Sequence, residues 1–428
     1  VIVCSEDGFV RCFHGNASVH GDVLWSHEIY SGPVYSGKAL DIVPDRDGDG
    51  ISEVVVGTTG GARLVRMLSG GSGAALWTFH TNVIGDGGWV YQVDGARDFT
   101  GDGITDIIAC AGDDGDDSGP KRVWCLDGET GDVIWARPLG GPVFSSMGID
   151  DINGDGIPDV VAGASDEWEI QGSAHAIDGA TGVLIWSVQT GGSSVWALAQ
   201  VDDVNGDEIR DIIIGDFGSG DILLVDSVYG VELASTSVGA FLTGFQVMED
   251  VSGDGRVDVA IEYYSNAVRV LDGATCDTVW TTPVADSPSV CAPIPDISGD
   301  GVGDLVVGTL FSNNRGYALN GVTGDVLIDL MFTTPIDAIT VMPDVVGDGS
   351  WEFVLGGRDG SVMCYSGGLD AVVFVPADIN QDGMVNVQDL LLLLDAWGQA
   401  GGVADINGDG VVDVTDVLAL LSAWGSGS

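Results

Sequence analysis

The chain has 428 residues, of which 45% are hydrophobic, so it is long enough for one large folded domain and a small one. Its 14 Lys and Arg residues against 65 Asp and Glu give a formal net charge of -51. This charge would repel a phosphate backbone, so nucleic acid is not an expected partner. No apolar run reaches about 18 residues, so no membrane span is predicted.

The beginning of the chain carries three short apolar segments before any acidic loop, the last of them ending at Trp25. We interpret the three segments as β-strands. The chain starts at Val1 with neither Met nor a positively charged leader, which we interpret as a processed or truncated start compatible with secretion. An extracellular or cell-surface location is the resulting expectation.

Seven acidic loops of one pattern then recur, 46 to 53 residues apart, as in Asp151-Ile-Asn-Gly-Asp-Gly-Ile-Pro-Asp159. Oxygen side chains at positions 1, 3, 5 and 9, with the carbonyl of position 7, can converge on one hard cation such as Ca²⁺. Gly156 permits the tight turn this requires. The predicted ligands are Asp45, Asp47, Asp49, Ile51, Glu53, Asp98, Thr100, Asp102, Ile104, Asp106, Asp151, Asn153, Asp155, Ile157, Asp159, Asp203, Asn205, Asp207, Ile209, Asp211, Asp250, Ser252, Asp254, Arg256, Asp258, Asp296, Ser298, Asp300, Val302, Asp304, Asp344, Asp348, Ser350 and Glu352.

The loops differ in their predicted strength as metal sites. The loop at Asp45 has carboxylates at every side-chain position, whereas Thr or Ser at position 3 of three other loops is a weaker oxygen donor. Glu208 replaces the turn glycine in the fourth loop, and Val346 removes the third-position ligand from the last one. We therefore expect these two loops to be the weakest.

Each repeat predicts a four-stranded antiparallel blade: an inner strand, the loop, and three further strands such as Glu53–Gly57, Val123–Leu126 and Asp132–Trp135. Second, third and fourth strands occur eight times, the last set spanning Trp351–Val375, but inner strands only seven times. The prediction is an all-β, eight-bladed propeller over residues 1–375 whose first blade lacks an inner strand, with seven blades as the alternative. Upstream residues or a strand from another molecule, which would permit a homopolymer, could fill the gap.

A turn and outer strand with their own signature close most blades, as in Asp127-Gly-Glu-Thr-Gly-Asp-Val-Ile-Trp135. Trp25, Trp77, Trp186 and Trp280 occupy the same place as Trp135, while Ala234 and Ile328 fill it in two blades. Because equivalent positions recur in successive blades, we expect these indoles to pack against the neighbouring blade rather than to form a sugar-stacking platform.

The seven cysteines leave two alternatives open. Cys4 with Cys12, Cys110 with Cys125 and Cys276 with Cys291 could form disulfides, which would leave Cys364 over. Otherwise they are small buried hydrophobic side chains.

After Pro376 the apolar pattern changes from strand-like to helical, and a 12-residue loop plus helix occurs twice, 27 residues apart. The helices are predicted over Leu390–Trp397 and Val417–Trp424, in a domain spanning residues 376–428. The predicted ligands are Asp378, Asn380, Asp382, Met384, Asn386, Asp389, Asp405, Asn407, Asp409, Val411, Asp413 and Asp416. With the seven propeller loops, this gives up to about nine Ca²⁺ ions as the only expected cofactor.

The tail resembles a type I dockerin, with its duplicated loops ending in Asp389 and Asp416, each followed by a helix. This resemblance implies attachment to a cohesin-like or other surface protein. The usual Ser-Thr recognition pair is replaced by Val387-Gln388 and Val414-Thr415. The propeller loops resemble FG-GAP repeats of integrin-type propellers, and the Trp-containing turns resemble the docking motif of quinoprotein-type propellers.

Three functions are compatible with these features. The favoured one is a secreted, calcium-stabilised, non-catalytic scaffold or adhesion protein that binds glycan or protein. The alternative is a polysaccharide-active enzyme, because some rhamnogalacturonan lyases resemble this architecture; a quinone-dependent dehydrogenase ranks third. The five histidines, His14, His20, His27, His80 and His175, form no cluster with the few basic residues, so no catalytic residue is assigned.

Overall fold

The computed structural model describes residues 1–4, 9–14, 22–29, 38–58, 62–83, 87–112, 119–311, 314–345, 347–368, 377, 379, 385–399, 404, 406 and 411–424. The chain divides into two compact units, Val1–Gly367 and Gly368–Ser428. None of the helices in these described ranges is long and apolar enough to cross a membrane.

Where it is described, the first unit is built from antiparallel strands and one short 3₁₀ helix, Thr81–Val83. In the described residues the strands are β1 (Ile2–Cys4), β2 (Phe9–Phe13), β3 (Val23–Glu28), β4 (Leu40–Val43), β5 (Glu53–Gly57), β6 (Leu64–Leu68), β7 (Ala75–His80), β8 (Val90–Arg97), β9 (Asp106–Ala111), β10 (Arg122–Leu126), β11 (Val133–Pro138), β12 (Val143–Ile149), β13 (Asp159–Ser165), β14 (Gly172–Ile177), β15 (Leu184–Gln189), β16 (Val195–Gln200), β17 (Ile212–Asp216), β18 (Asp221–Val225), β19 (Glu232–Ser237), β20 (Leu242–Met248), β21 (Asp258–Tyr263), β22 (Ala267–Asp272), β23 (Thr278–Pro283), β24 (Pro288–Ile294), β25 (Asp304–Thr309), β26 (Arg315–Leu319), β27 (Val326–Met331), β28 (Ile336–Met342), β29 (Glu352–Gly357) and β30 (Val362–Ser366).

These strands form eight separate sheets, each made of consecutive strands, which are the blades of a propeller. Blade 1 holds β1–β3, blades 2 to 7 hold four strands each from β4 to β27, and blade 8 holds β28–β30. The eight-bladed prediction is confirmed, and the seven-bladed alternative is wrong. As expected, blade 1 has no inner strand among the described residues, whereas the predicted fourth strand of blade 8, up to residue 375, lies outside them.

The core lies between blades rather than within one sheet. The second strands β9, β13, β21 and β25 are buried at every residue, because a neighbouring blade covers each face of the sheet. One apolar cluster, for example, joins Val55 and Trp77 of blade 2 to Ile107 and Trp124 of blade 3. The apolar runs that follow the acidic loops therefore hold successive blades together.

The outer-strand tryptophans dock each blade onto the next, as the sequence predicted. The Trp135 Nε1–H donates to the carbonyl of Gly179 in the following blade at 2.6 Å, and Trp25, Trp77, Trp186 and Trp280 make the same bond at 2.7 to 3.2 Å. Gly182 has a φ of +71°, and a Cβ there would lie 2.9 Å from the Trp135 ring. The turn glycine thus provides both the backbone conformation and the space for the indole.

Of the two alternatives for the cysteines, disulfides or unpaired side chains, the structure has unpaired thiols at the six positions that follow. Cys12, Cys110, Cys125, Cys276, Cys291 and Cys364 are all free, and the first five are buried. In blade 3 the register pairs Cys110 with Val123 and Cys125 with Ile108, so the two cysteines do not face each other. Burial raises the pKa of the Cys110 thiol to about 12, which makes it a poor nucleophile.

In the second unit the described residues form two helices, α1 (Val387–Asp395) and α2 (Val414–Ser422). Both begin three residues before the predicted starts, because Asn386 and Asp413 act as N-caps with complete capping boxes. Asp389 and Asp416, the last predicted ligand of each loop, therefore lie in the first helical turns. The buried Leu393 and Leu420 occupy equivalent places in a small core.

Candidate metal centres

The seven acidic loops of the propeller all open on one face. Each connects an inner strand to the second strand of its blade, so in antiparallel blades every loop is at the same end of the strands. The Trp-containing turns between third and fourth strands lie at that end too. We call this surface the loop face.

The first residue of each loop organises the turn through two backbone hydrogen bonds. Asp151 accepts the N–H of Gly154 at Oδ1 and of Gly156 at Oδ2, both at 2.7 Å. Equivalent bonds of 2.5 to 2.9 Å occur in the loops that begin at Asp45, Asp98, Asp203, Asp250, Asp296 and Asp344. The bonds from Gly48 and Gly50 hold the pKa of Asp45 below its usual value.

Position 6 needs a left-handed backbone in every loop. Gly156 has a φ of +90°, and Glu208 adopts +74° at the corresponding position of the fourth loop. A side chain in this conformation is strained. The irregularity identified in the sequence is therefore a point of backbone strain in the structure.

The ninth residue is a buried connection between loop and turn. Asp159 is fully buried; its Oδ2 accepts the N–H of Ile152 at 2.8 Å and its Oδ1 accepts that of Gly179 at 2.9 Å. Burial, with the nearby charges of Asp178 and Asp151, raises the pKa of Asp159 to about 6. Glu53, Asp106, Asp211, Asp258 and Asp304 make corresponding bonds to both loop and turn.

Carboxylate oxygens converge most closely in the first and last loops. Among the described residues, one oxygen from each of Asp45, Asp47 and Asp49 lies within 4.8 Å of the others, and so do oxygens of Asp344, Asp348 and Glu352. The sequence predicted the first loop to be strong and the last to be weak. Val346, on which the second prediction rested, lies outside the described residues.

The intermediate loops place an amide or hydroxyl group at position 3, among the carboxylates. The hydroxyls of Thr100, Ser252 and Ser298 donate to the first aspartate of their loops at 3.2 to 3.3 Å. The Asn153 Nδ2 donates to Asp159 and to Asp178 of the adjoining turn, each at 3.2 Å. A turn residue therefore borders this centre, a contact that the loop pattern alone did not predict.

Neighbouring loops are also tied to each other, which the sequence interpretation missed. The Arg46 guanidinium donates to the Thr105 carbonyl at 3.1 Å, linking the loops of blades 2 and 3. Asp150 pairs with Arg210 at 2.7 Å, linking blades 4 and 5, and Asp202 accepts the N–H of Val257 at 2.8 Å. In the sequence, the sign of these contacts was a charged residue directly next to the first predicted metal ligand of a loop.

In the second unit only part of each predicted ligand set can be placed. Asn386, Asp389, Val411, Asp413 and Asp416 lie in described residues, and the two side chains that end the loops, Asp389 and Asp416, are fully buried. The other predicted ligands lie outside the described residues: Asp378, Asn380, Asp382, Met384, Asp405, Asn407 and Asp409.

His175, one of the five histidines considered in the sequence analysis, is a packed residue of β14. Its ring nitrogens lie 2.9 Å from Ser173 Oγ and 2.7 Å from Ser187 Oγ, and the side chain is buried. Burial, with Arg137 nearby, lowers its pKa to about 4. This environment favours a neutral structural imidazole over a general base working near neutral pH.

Comparisons with known proteins support the propeller architecture. Residues 61–327 match the family model described as outer membrane protein assembly factor BamB. Saccharomyces cerevisiae Sqt1 has a TM-score of 0.64 and 13% identity, covering 85% of this chain and 92% of its own. BamB from Moraxella catarrhalis has a TM-score of 0.54 and 14% identity, covering 85% and 90%.

A third similar structure is BBS1N in complex with ARL6DN, with a TM-score of 0.55 and 11% identity, covering 86% of this chain and 99% of its own. At these identities the likeness shows the fold alone, and no curated protein sequence matches the chain. The family model, however, covers more than half of the chain. The chain therefore belongs to the family of β-propeller proteins described as outer membrane protein assembly factor BamB.

Proposed function

We propose that this chain is a secreted, calcium-braced, non-catalytic scaffold protein of the cell surface or extracellular matrix. Its propeller would bind protein or glycan, and its dockerin-like tail would attach it to a cohesin-like or other surface protein. The observation that carries the proposal is the repetition of one oxygen-lined loop, with the same internal hydrogen bonds, at seven places on one face. Repetition of this kind is typical of bracing rather than of a single catalytic centre.

The side chains of the loops fit a hard cation. Carboxylate, amide and hydroxyl oxygens are the donors that Ca²⁺ prefers, and positive-φ glycines bring them around one centre. Without a cation, carboxylates such as Asp45, Asp47 and Asp49 stand within 4.8 Å of one another and repel. A bound cation would neutralise them and hold the inner and second strands of each blade together.

The described part of the tail carries an apolar stripe on each helix. Val387, Leu391, Leu394 and Trp397 are 49% to 61% exposed, and their equivalents Val414, Leu418, Leu421 and Trp424 are 46% to 61% exposed. No Lys, Arg or His follows Arg358 in the sequence. Exposed apolar stripes within an acidic segment fit a partner with an apolar groove bordered by cations.

Non-catalytic binding is favoured over polysaccharide cleavage because His175 is buried and both of its ring nitrogens are hydrogen-bonded to serine hydroxyls, which leaves it unsuited to act as a base on a polysaccharide. The two functions are separated by incubating the full chain with acidic polysaccharides and measuring both retention and the ultraviolet absorbance of unsaturated products. Retention without product supports the scaffold function. Accumulation of unsaturated product would establish a lyase and refute it.

A further inference from the structure

Opposite the loop face, six aromatic side chains form a continuous row across blades 4 to 7. We call them the aromatic arc: Phe144, Trp196, Phe217, Phe241, Tyr264 and Phe311. Consecutive ring centroids lie 4.9, 4.9, 4.9, 6.3 and 5.5 Å apart. Tyr91 of blade 3 extends the row, with its ring 5.1 Å from Phe144.

The propeller topology explains why these residues meet. Phe144 and Trp196 lie at the starts of inner strands, and Phe241 immediately precedes another. Phe217 and Tyr264 immediately follow second strands, and Phe311 lies shortly after another. In antiparallel blades both places are at the end away from the loop face. The blades thus gather residues that are up to 167 positions apart in the sequence.

The arc is only partly covered by protein. Phe241 is 48% exposed and Phe311 is 54% exposed, while Trp196, Phe217 and Tyr264 are half-buried. A contiguous exposed apolar surface of this kind marks an interaction site on a folded protein. Aromatic residues are also the side chains most enriched at the energetic centres of protein interfaces.

The ring orientations favour a protein segment over a polysaccharide. Phe144, Trp196, Phe217 and Phe241 are stacked in sequence, with interplanar angles of 14°, 29° and 24°. Their faces are therefore covered by one another, whereas stacking against sugar rings requires open faces. The ring edges that remain carry partial positive charge and suit the carbonyl oxygens of an extended peptide.

The surrounding charge indicates a cationic partner. On the same side of blade 4, the connection after β13 reads Asp166-Glu-Trp-Glu-Ile170, with Trp168 73% and Ile170 72% exposed. This connection therefore adds three acidic and two exposed apolar side chains to the side of the propeller that carries the arc. At its other end Arg358 is paired with Asp337 at 2.7 Å. The net charge of -51 adds long-range attraction for a basic partner and repulsion between two copies of this chain.

We propose that the aromatic arc is a docking surface for an extended segment of a partner protein in which apolar residues alternate with Lys or Arg. The inference deepens the proposed binding role of the propeller and rests on it. It does not depend on the tail or on the identity of the metal. Aromatic-lined surfaces that take extended, proline-containing segments are a known mode of peptide recognition.

The test measures the fluorescence anisotropy of labelled peptides of about twelve residues in the presence of the chain with both units. The probes are repeats of Lys-Leu-Pro, of Lys-Ser-Pro and of Glu-Leu-Pro. The Lys-Leu-Pro peptide should bind, and the double variant Phe241→Ser, Phe311→Ser should weaken it by about tenfold or more. The Lys-Ser-Pro and Glu-Leu-Pro peptides should each bind the native protein at least about tenfold more weakly.

Tyr229→Ser is the matched control, because Tyr229 is 72% exposed but lies in a loop-face turn of blade 5. It should leave binding unchanged. Both substituted arc positions are about half exposed, so folding should survive, and unchanged circular dichroism checks this. Trp196→Ala should lose binding of the Lys-Leu-Pro peptide. Trp196→Phe, which preserves the stacking, should retain it.

Equal binding of Lys-Leu-Pro to the native protein and the arc variant would overturn the docking surface but leave the scaffold function standing. If the Lys-Ser-Pro peptide binds as tightly as the Lys-Leu-Pro peptide, the attraction is due to charge alone, and the docking surface is likewise overturned. Arc-dependent retention of a neutral polysaccharide in place of the peptides would assign the arc to sugars. Cleavage of an added polysaccharide would instead refute the proposed function.

Discussion

Removal of one docking indole tests whether contacts between blades hold the propeller together. Trp135 is 7% exposed, and its Nε1–H bonds the Gly179 carbonyl of the next blade at 2.6 Å. Trp135→Phe removes that donor from a buried carbonyl, which should lower the free energy of unfolding by about 1–3 kcal/mol. Trp135→Ala also removes the ring from its place against Gly182 and should cost about 3–5 kcal/mol.

The assay is urea denaturation followed by far-ultraviolet circular dichroism, which does not depend on the fluorescence of the substituted tryptophan. Trp168→Ala is the control, because Trp168 is 73% exposed and its loss should change stability by no more than about 0.5 kcal/mol. If Trp135→Ala is no more destabilising than Trp168→Ala, the indole does not dock the blades as described.

Three further predictions concern strain, titration and the tail. Glu208→Gly should raise the free energy of unfolding by about 1 kcal/mol, measured by urea denaturation, because a φ of +74° strains any side chain; a loss of stability would contradict this. His175 has a native pKa of about 4, below its unfolded value, so its contribution to stability is present above pH 6.5 and is lost as the pH falls towards 4. His175→Gln should flatten the pH dependence of the melting temperature in that range, and an unchanged slope would show that other groups cause it. Leu391→Ser with Leu418→Ser should abolish retention on an immobilised cohesin-like surface protein with an unchanged propeller melting temperature, since both leucines are 61% exposed; full retention would exclude the apolar stripes.

The blades were predictable because each repeat carries its own local signals. The loop at Asp151, the buried run after it and the turn leading to Trp186 each specify one part of a blade. Equivalent tryptophans in successive repeats also predicted the contacts between blades. The boundaries of α1 were less accessible, because Asn386 served in the sequence pattern as a ligand and in the structure also as an N-cap.

The remaining features depend on contacts between distant residues. Nothing near Asp159 in the sequence indicates that its second oxygen accepts the N–H of Gly179, because that turn returns to the loop only when β14 pairs with β13. In the same way Phe217 and Phe241 look in the sequence like ordinary apolar residues next to two separate strands. They stack only because the curvature of the propeller brings successive strand ends to one face.

The central claim, that the loops brace the propeller by holding calcium, is tested most directly by calcium titration of the metal-free protein combined with thermal unfolding. Up to about nine ions should bind, and chelation should lower the melting temperature, because carboxylates such as Asp45, Asp47 and Asp49 would then repel at close range. Asp45→Asn with Asp49→Asn should remove one ion and part of that stabilisation. Identical melting curves with calcium and with chelator would contradict the account.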